Sequence, residues 1–141
     1  MRRIYAIVLV LCMTVTLMPM SANASVVIGE GECGTADGSM IWAVTDDGTL
    51  TISGTGEMRD YEPGYRYAPW SAHLVNVTKV VINEGVTRIG AYAFLDMRKI
   101  TSFDLPESLV SIGIGAFERC FGVKEISLPP NLTELQTSRK K

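Results

Sequence analysis

The sequence is poor in the residues that carry most enzyme chemistry. It has one histidine, His73, and three cysteines, of which Cys12 falls within the first 24 residues. One imidazole and two separated thiols are too few for a zinc cluster of the usual kind. A Ser-His-Asp or Cys-His arrangement would have to use His73, and no nucleophile-elbow pattern accompanies it. Neither sign of charge is in large excess: 13 basic residues stand against 15 acidic ones, a formal net charge of −2. A strongly basic surface for nucleic acid is therefore excluded as an expectation. No second long apolar run follows the first 24 residues, yet 47% of the chain is apolar and only 20% charged. That balance condenses into a core and does not stay disordered.

What is present begins with a leader. Arg2 and Arg3 precede an apolar run over 4–11, and Ala22-Asn23-Ala24 supplies a small-residue cleavage site. These are the three parts of a secretory signal peptide, residues 1–24. Thr14, Thr16, Pro19 and Ser21 interrupt the run, short of the roughly 20 apolar residues a membrane span needs. Leu11 before Cys12 is not the small residue of a lipoprotein site, and Leu105-Pro106-Glu107-Ser108 is internal and lacks the tail of a sorting signal. The product is expected to be secreted or at the cell surface, with no stable membrane anchor after cleavage. Cys33 and Cys120 then remain, and they are expected as free, mostly buried thiols, because Cys120 falls at a periodic apolar site.

The second half of the chain repeats itself. Residues 77–99, 100–122 and 123–136 align without gaps at a 23-residue period, the last unit being partial. Val77, Ile100 and Val123 open the units; Val80, Phe103 and Ile126 follow, then Ile82, Leu105 and Leu128. Gly90 matches Gly113, Ala93-Phe94 matches Ala116-Phe117, and Met97 matches Cys120. Apolar residues two apart place both side chains on one face of a strand. The glycines are expected to allow a turn, after which the Ala-Phe pair enters the interior from a short helical or turn segment. A lone unit cannot bury that face, so the units must stack as a right-handed solenoid with a ladder of parallel strands.

The stretch from Leu105 to Cys120, with Pro106, Ile112, Gly113, Ala116 and Phe117 in place, resembles the BspA-type leucine-rich repeat, also called the treponemal type. The first unit departs in carrying Glu84-Gly85 where the family often has proline, and Met97 for Cys. The resemblance implies a bacterial secreted or surface protein, some members of the family being adhesins.

Residues 25–76 read differently, as a small N-terminal β segment capping the repeats. Residues 40–45 and 49–53 are short β-type runs around the turn signal Asp46-Asp47-Gly48, which predicts a hairpin. With Cys33-Gly34, Trp42, Gly54-Thr55-Gly56 and Pro69-Trp70, this string is similar to the segment that often precedes such repeats. Trp42 and Trp70 are expected to pack in the cap. The rival reading makes them an exposed aromatic platform, supported by Tyr61, Tyr65 and Tyr67. Gly29-x-Gly31-x-x-Gly34 fits a dinucleotide fingerprint, but the residues after it, Thr35-Ala36-Asp37-Gly38-Ser39, form a loop in place of the required helix.

The expected class is thus mostly β with short helical turns: a leucine-rich-repeat solenoid under an N-terminal cap, with a polar tail at 137–141. No catalytic residue, metal site or cofactor is assigned. The residues alternating with the buried ones form the expected binding face: Lys79, Val81 and Asn83; Ser102 and Asp104; Glu125 and Ser127. The partner expected there is an extracellular protein or glycan. An alternative is an accessory module, or a truncated fragment, of a larger secreted repeat protein or hydrolase.

Overall fold

The structure, a computed structural model, describes residues 24–137. The expected signal peptide lies outside the described residues except for Ala24.

In chain order the elements are β1 (Val27–Glu32), β2 (Met40–Thr45), β3 (Thr49–Gly54), β4 (Gly56–Glu57), a 3-10 helix (Pro69–His73), β5 (Lys79–Ile82), β6 (Val86–Ile89), β7 (Ser102–Asp104), β8 (Ser111–Ile112) and β9 (Glu134–Leu135). They form two sheets, ordered β1-β2-β3-β5-β7 and β4-β6-β8-β9. The hairpin expected around Asp46-Asp47-Gly48 is β2–β3, paired antiparallel, with Gly48 at φ 85° in the turn. From β3 onward every pairing in both sheets is parallel.

The 23-residue period is the register of these ladders. Lys79 faces Ser102, Val80 faces Phe103, Arg88 faces Ser111 and Ser111 faces Glu134. Each of the first two repeat coils therefore gives one strand to each sheet. The segment before the repeats joins the same ladders at a longer step, with Leu50 opposite Val80, Ile52 opposite Ile82 and Gly56 opposite Val86. It covers the first repeat as a coil of its own, hydrogen-bonded across residue 76.

The pleat explains which side chains go inward. Met40, Trp42 and Val44 alternate with exposed or half-buried neighbours on β2, and Leu50 and Ile52 do so on β3. These five join Val80, Ile82, Val86, Ile89, Phe94, Ile100, Leu109 and Ile112 in one continuous core. Phe94 and Phe117, one period apart, stack with centroids 5.9 Å apart and planes 5° from parallel. Burial also settles the two tryptophans: Trp42 is 6% and Trp70 0% exposed, so neither is a surface platform.

Two local expectations are corrected and one alternative is decided. Gly90 and Gly113 are not needed for left-handed backbone; a Cβ on Gly90 would collide with the Arg59 carbonyl, and one on Gly113 would lie 2.5 Å from the Ala91 nitrogen. They are glycine because adjacent coils touch there. The left-handed positions are instead Tyr92 (φ 53°) and Gly115 (φ 61°), and Asp96 (φ 62°) and Arg119 (φ 61°), each pair one period apart. Of the helical or turn segment expected for the Ala-Phe pairs, the structure takes the turn, over 91–96 and 114–119, and the 3-10 helix opening at Pro69 is the one helical element among the described residues. Finally, no strand forms over 123–128. Glu125 and Ser127 are exposed, and Leu128 is 48% exposed, so ordering a strand there would gain little apolar burial. The third coil rejoins the second sheet at β9.

Candidate functional site

The outward side chains of the first sheet form the surface on which five of the seven candidate residues meet. Lys79 on β5 and Asp104 on β7 lie diagonally across the ladder, and the ammonium contacts the carboxylate at 2.9 Å. Their side chains are 46% and 58% exposed, so this is a solvated pair of small net energy. Val81 sits half-buried between Thr51 and Asp104, in register with both. Ser102 stands beside Lys79, and the Asn83 side-chain amide donates to the Ser53 hydroxyl at 3.0 Å. Glu125 and Ser127 are exposed but belong to no strand.

The face is wider than the repeats. Because β3 pairs with β5, the half-buried Thr49, Thr51 and Ser53 continue it, and β2 adds Ala43 and Ile41, the latter 53% exposed. Beyond them, Glu30 and Glu32 on β1 lie opposite Ala43 and Ile41. The alternation Thr-Leu-Thr-Ile-Ser over 49–53 carried this signal, since its polar residues share the period of Lys79, Val81 and Asn83. The face grades from acidic at β1, through hydroxyls, to a self-neutralised pair at β5 and β7.

The residues weighed for chemistry are not assembled into a reacting group. His73 is half-buried, tilted at 50° against the Trp42 ring with centroids 6.1 Å apart. Cys33 and Cys120 are free, and burial pushes their thiols up to about 12 and about 11 respectively, which keeps them protonated and poorly nucleophilic at neutral pH. Among the described residues no three His, Cys, Asp or Glu side chains come together to hold a metal ion. Gly29 and Gly31 lie within strand β1, with no helix after them; a Cβ on Gly31 would be 2.8 Å from the Trp42 indole nitrogen, and one on Gly29 would strike His73. Close packing accounts for those glycines, not a phosphate. No helix among the described residues is long and apolar enough to cross a membrane.

Comparison with known proteins agrees with this architecture. The family described as BspA type Leucine rich repeat region (6 copies) matches residues 72–139. No curated protein matches the chain. Among solved structures, a leucine-rich repeat protein from Eubacterium ventriosum superposes with a TM-score of 0.65 at 28% identity, covering 80% of this chain and 28% of its own. The leucine-rich repeat protein of T. pallidum (TM-score 0.45, 23% identity) covers 73% of this chain and 54% of its own. A leucine-rich cell surface protein of Faecalibacterium prausnitzii (TM-score 0.39, 22% identity) covers 76% and 32%. The chain thus spans just over a quarter of the E. ventriosum protein. With the 23-residue register, the two parallel ladders and the family match in agreement, the repeat region of this chain belongs to the BspA-type leucine-rich repeat family.

Proposed function

We propose that this protein is a non-catalytic extracellular binding module of a bacterium, secreted or held at the cell surface, that recognises a protein or glycan through the outer face of its first sheet. The observation that carries the reading is the continuous polar surface running from β3 over β5 to β7, in which Thr51, Val81 and Asp104 stand in one register row. Such a face has side chains held in fixed positions by the ladder beneath, so a ligand meets little ordering cost. It is also shallow, which suits an extended partner better than a small substrate. Membership of a repeat family whose folds serve protein interaction supports the same conclusion.

The test is binding of the full chain to immobilised mucin before and after deglycosylation, measured by surface plasmon resonance. Charge reversal at Lys79 alone, Lys79→Glu, is expected to weaken binding without lowering the melting temperature. Affinity unchanged in that variant removes this face from consideration, and retention on the stripped mucin assigns the partner to the protein class.

A further inference from the structure

We propose that a cleft within the N-terminal cap, away from the Lys79–Asp104 pair, binds the carboxylate of an acidic sugar. The cleft encloses 390 Å³, within the range of small-ligand sites. Its lining includes Glu32, Thr35, Arg59, Tyr61, Arg66 and Tyr67.

Two covered side-chain atoms among the described residues lack a hydrogen-bond partner, Trp42 Nε1 and the Tyr61 hydroxyl, and of these two residues Tyr61 lines the cleft. Tyr61 is 4% exposed, and its hydroxyl is covered yet hydrogen-bonds to nothing in the protein. Its ring meets Trp70 edge-on with centroids 5.6 Å apart. Phenylalanine would fill that role without burying an unpaired hydroxyl, which costs about 1–3 kcal/mol. A ligand oxygen arriving in the cleft gives the hydroxyl an acceptor.

The charges around it select the ligand. Burial and then the Cys33 thiol push the proton affinity of the Tyr61 hydroxyl up, and Arg59 and Arg66 oppose them. Arg59 is partly committed, donating from Nε to the Gly34 carbonyl and reaching the fully exposed Asp37 only at 3.8 Å. Arg66 makes no salt bridge among the described residues, while its backbone is held to Glu62 by two hydrogen bonds of 2.8 and 2.9 Å. The loop is therefore fixed and the guanidinium available. Asp37 offsets Arg59 from outside the lining, whereas Arg66 has no salt-bridge partner among the described residues and is the guanidinium placed to receive a monoanion. A planar carboxylate fits the guanidinium fork. The 60% exposed Tyr67 offers a flat face to a sugar ring, and Glu32 and Thr35 offer partners for its hydroxyls.

The experiment is calorimetric titration of the full chain with trigalacturonate and, separately, with its fully methyl-esterified form. The acid is expected to bind, with affinity falling as salt rises, and the ester is not. Tyr61→Phe should lose roughly fivefold to tenfold in affinity with an unchanged or higher melting temperature, because the deleted hydroxyl had no partner. Arg66→Ala should lose at least as much, and Lys79→Glu should leave this binding intact, separating the cleft from the strand face. Equal binding of acid and ester, no binding of the acid, or wild-type affinity in Tyr61→Phe would each overturn the assignment. So would preference for a sulfated oligosaccharide of the same length.

Discussion

The Trp70 indole stacks on the Phe94 ring, centroids 5.7 Å apart and planes 25° from parallel, and its Nε1 donates to the carbonyl of Ala93 at 2.9 Å. Trp70 thus stands one coil above Phe94, as Phe94 stands above Phe117. The cap carries its own version of the repeat's buried aromatic, enlarged to bridge a longer coil and fitted with a donor for the first repeat's turn.

Two variants separate stacking from hydrogen bonding at this joint. Trp70→Phe keeps a ring in the column but strands the Ala93 carbonyl, and is expected to cost about 1–3 kcal/mol. Trp70→Ala also opens a cavity and should cost about 3–5 kcal/mol. Denaturant midpoints measure both. Equal losses in the two variants would show that the ring contributes nothing beyond its nitrogen.

Coil-to-coil contact sets the cost of adding a methyl group. A Cβ on Gly90 meets the Arg59 carbonyl, whereas one on Gly38 (φ 67°) meets nothing within 4 Å. Gly38→Ala should therefore lose only backbone strain, about 1 kcal/mol, while Gly90→Ala must push two coils apart and should lose about 3 kcal/mol or more. Comparable melting temperatures for the two variants would contradict the close-approach account.

Left-handed backbone recurs at Asp96 and Arg119 one period apart; aspartate tolerates it better than most side chains, and arginine does not. Arg119 is exposed. Replacing it with glycine removes about 1–2 kcal/mol of strain against about 0.5–1 kcal/mol of extra chain entropy. Arg119→Gly should raise the melting temperature slightly, whereas Gly115→Ala, which drives a Cβ into the Tyr92 ring, should lower it. A fall in both would mean that Arg119 makes contacts worth more than its strain.

The repeat was legible because burial imposes it: Val80, Phe103, Gly90, Gly113 and the Ala-Phe pairs each answer to a contact with the neighbouring coil, and one register step repeats that demand. The hairpin was legible from Asp46-Asp47-Gly48, since a turn needing positive φ leaves its mark in few residues. The joining of β3 to β5 was not, because its step of 30 residues between Leu50 and Val80 occurs once and leaves no second copy to align. The Lys79–Asp104 contact was missed for a related reason: sequence alternation gives the face on which a side chain lies but not its diagonal neighbour. Of the cleft the sequence marked only the tyrosines Tyr61 and Tyr67, because its members come from β1, the loop after it and residues 59–69, which no period links.

Acid should loosen the cap first. The Asp47 carboxylate accepts from the Thr45 hydroxyl at 2.7 Å, the Ser25 hydroxyl at 2.9 Å and the Thr49 amide at 3.0 Å, which hold it down at about 2 from 3.8. Burial pushes Asp60 the other way, but the Arg88 guanidinium at 2.8 Å and the Ala91 amide at 2.7 Å prevail and lower it as well. A carboxyl lowered on folding stabilises the fold above its unfolded value, about 3.9, and loses that contribution as pH falls through the folded value. Stability should therefore drop between about pH 4 and pH 2, and Asp47→Asn should flatten part of that slope. Melting curves at pH 6, 4 and 2.5 would show it; an Asp47→Asn protein with the wild-type acid slope would place the sensitivity elsewhere.

Lys79 and Asp104 present a sharper case, since each was expected as a contact for a partner and each already holds the other at 2.9 Å. An exposed pair of this kind adds about 0–1 kcal/mol, so Lys79→Glu should barely change the melting temperature. Its effect should fall on recognition, because the ladder would then present two carboxylates side by side, and like charges repel an anionic partner and each other. The swap Lys79→Asp with Asp104→Lys restores the pair with its polarity reversed. If the ligand reads only a neutral, ordered surface, the swap should recover the affinity that Lys79→Glu loses; if it contacts the ammonium itself, the swap should stay weak while the melting temperature returns to that of the wild type. Recovery of neither affinity nor stability would mean that the pair shapes the ladder and is not its display.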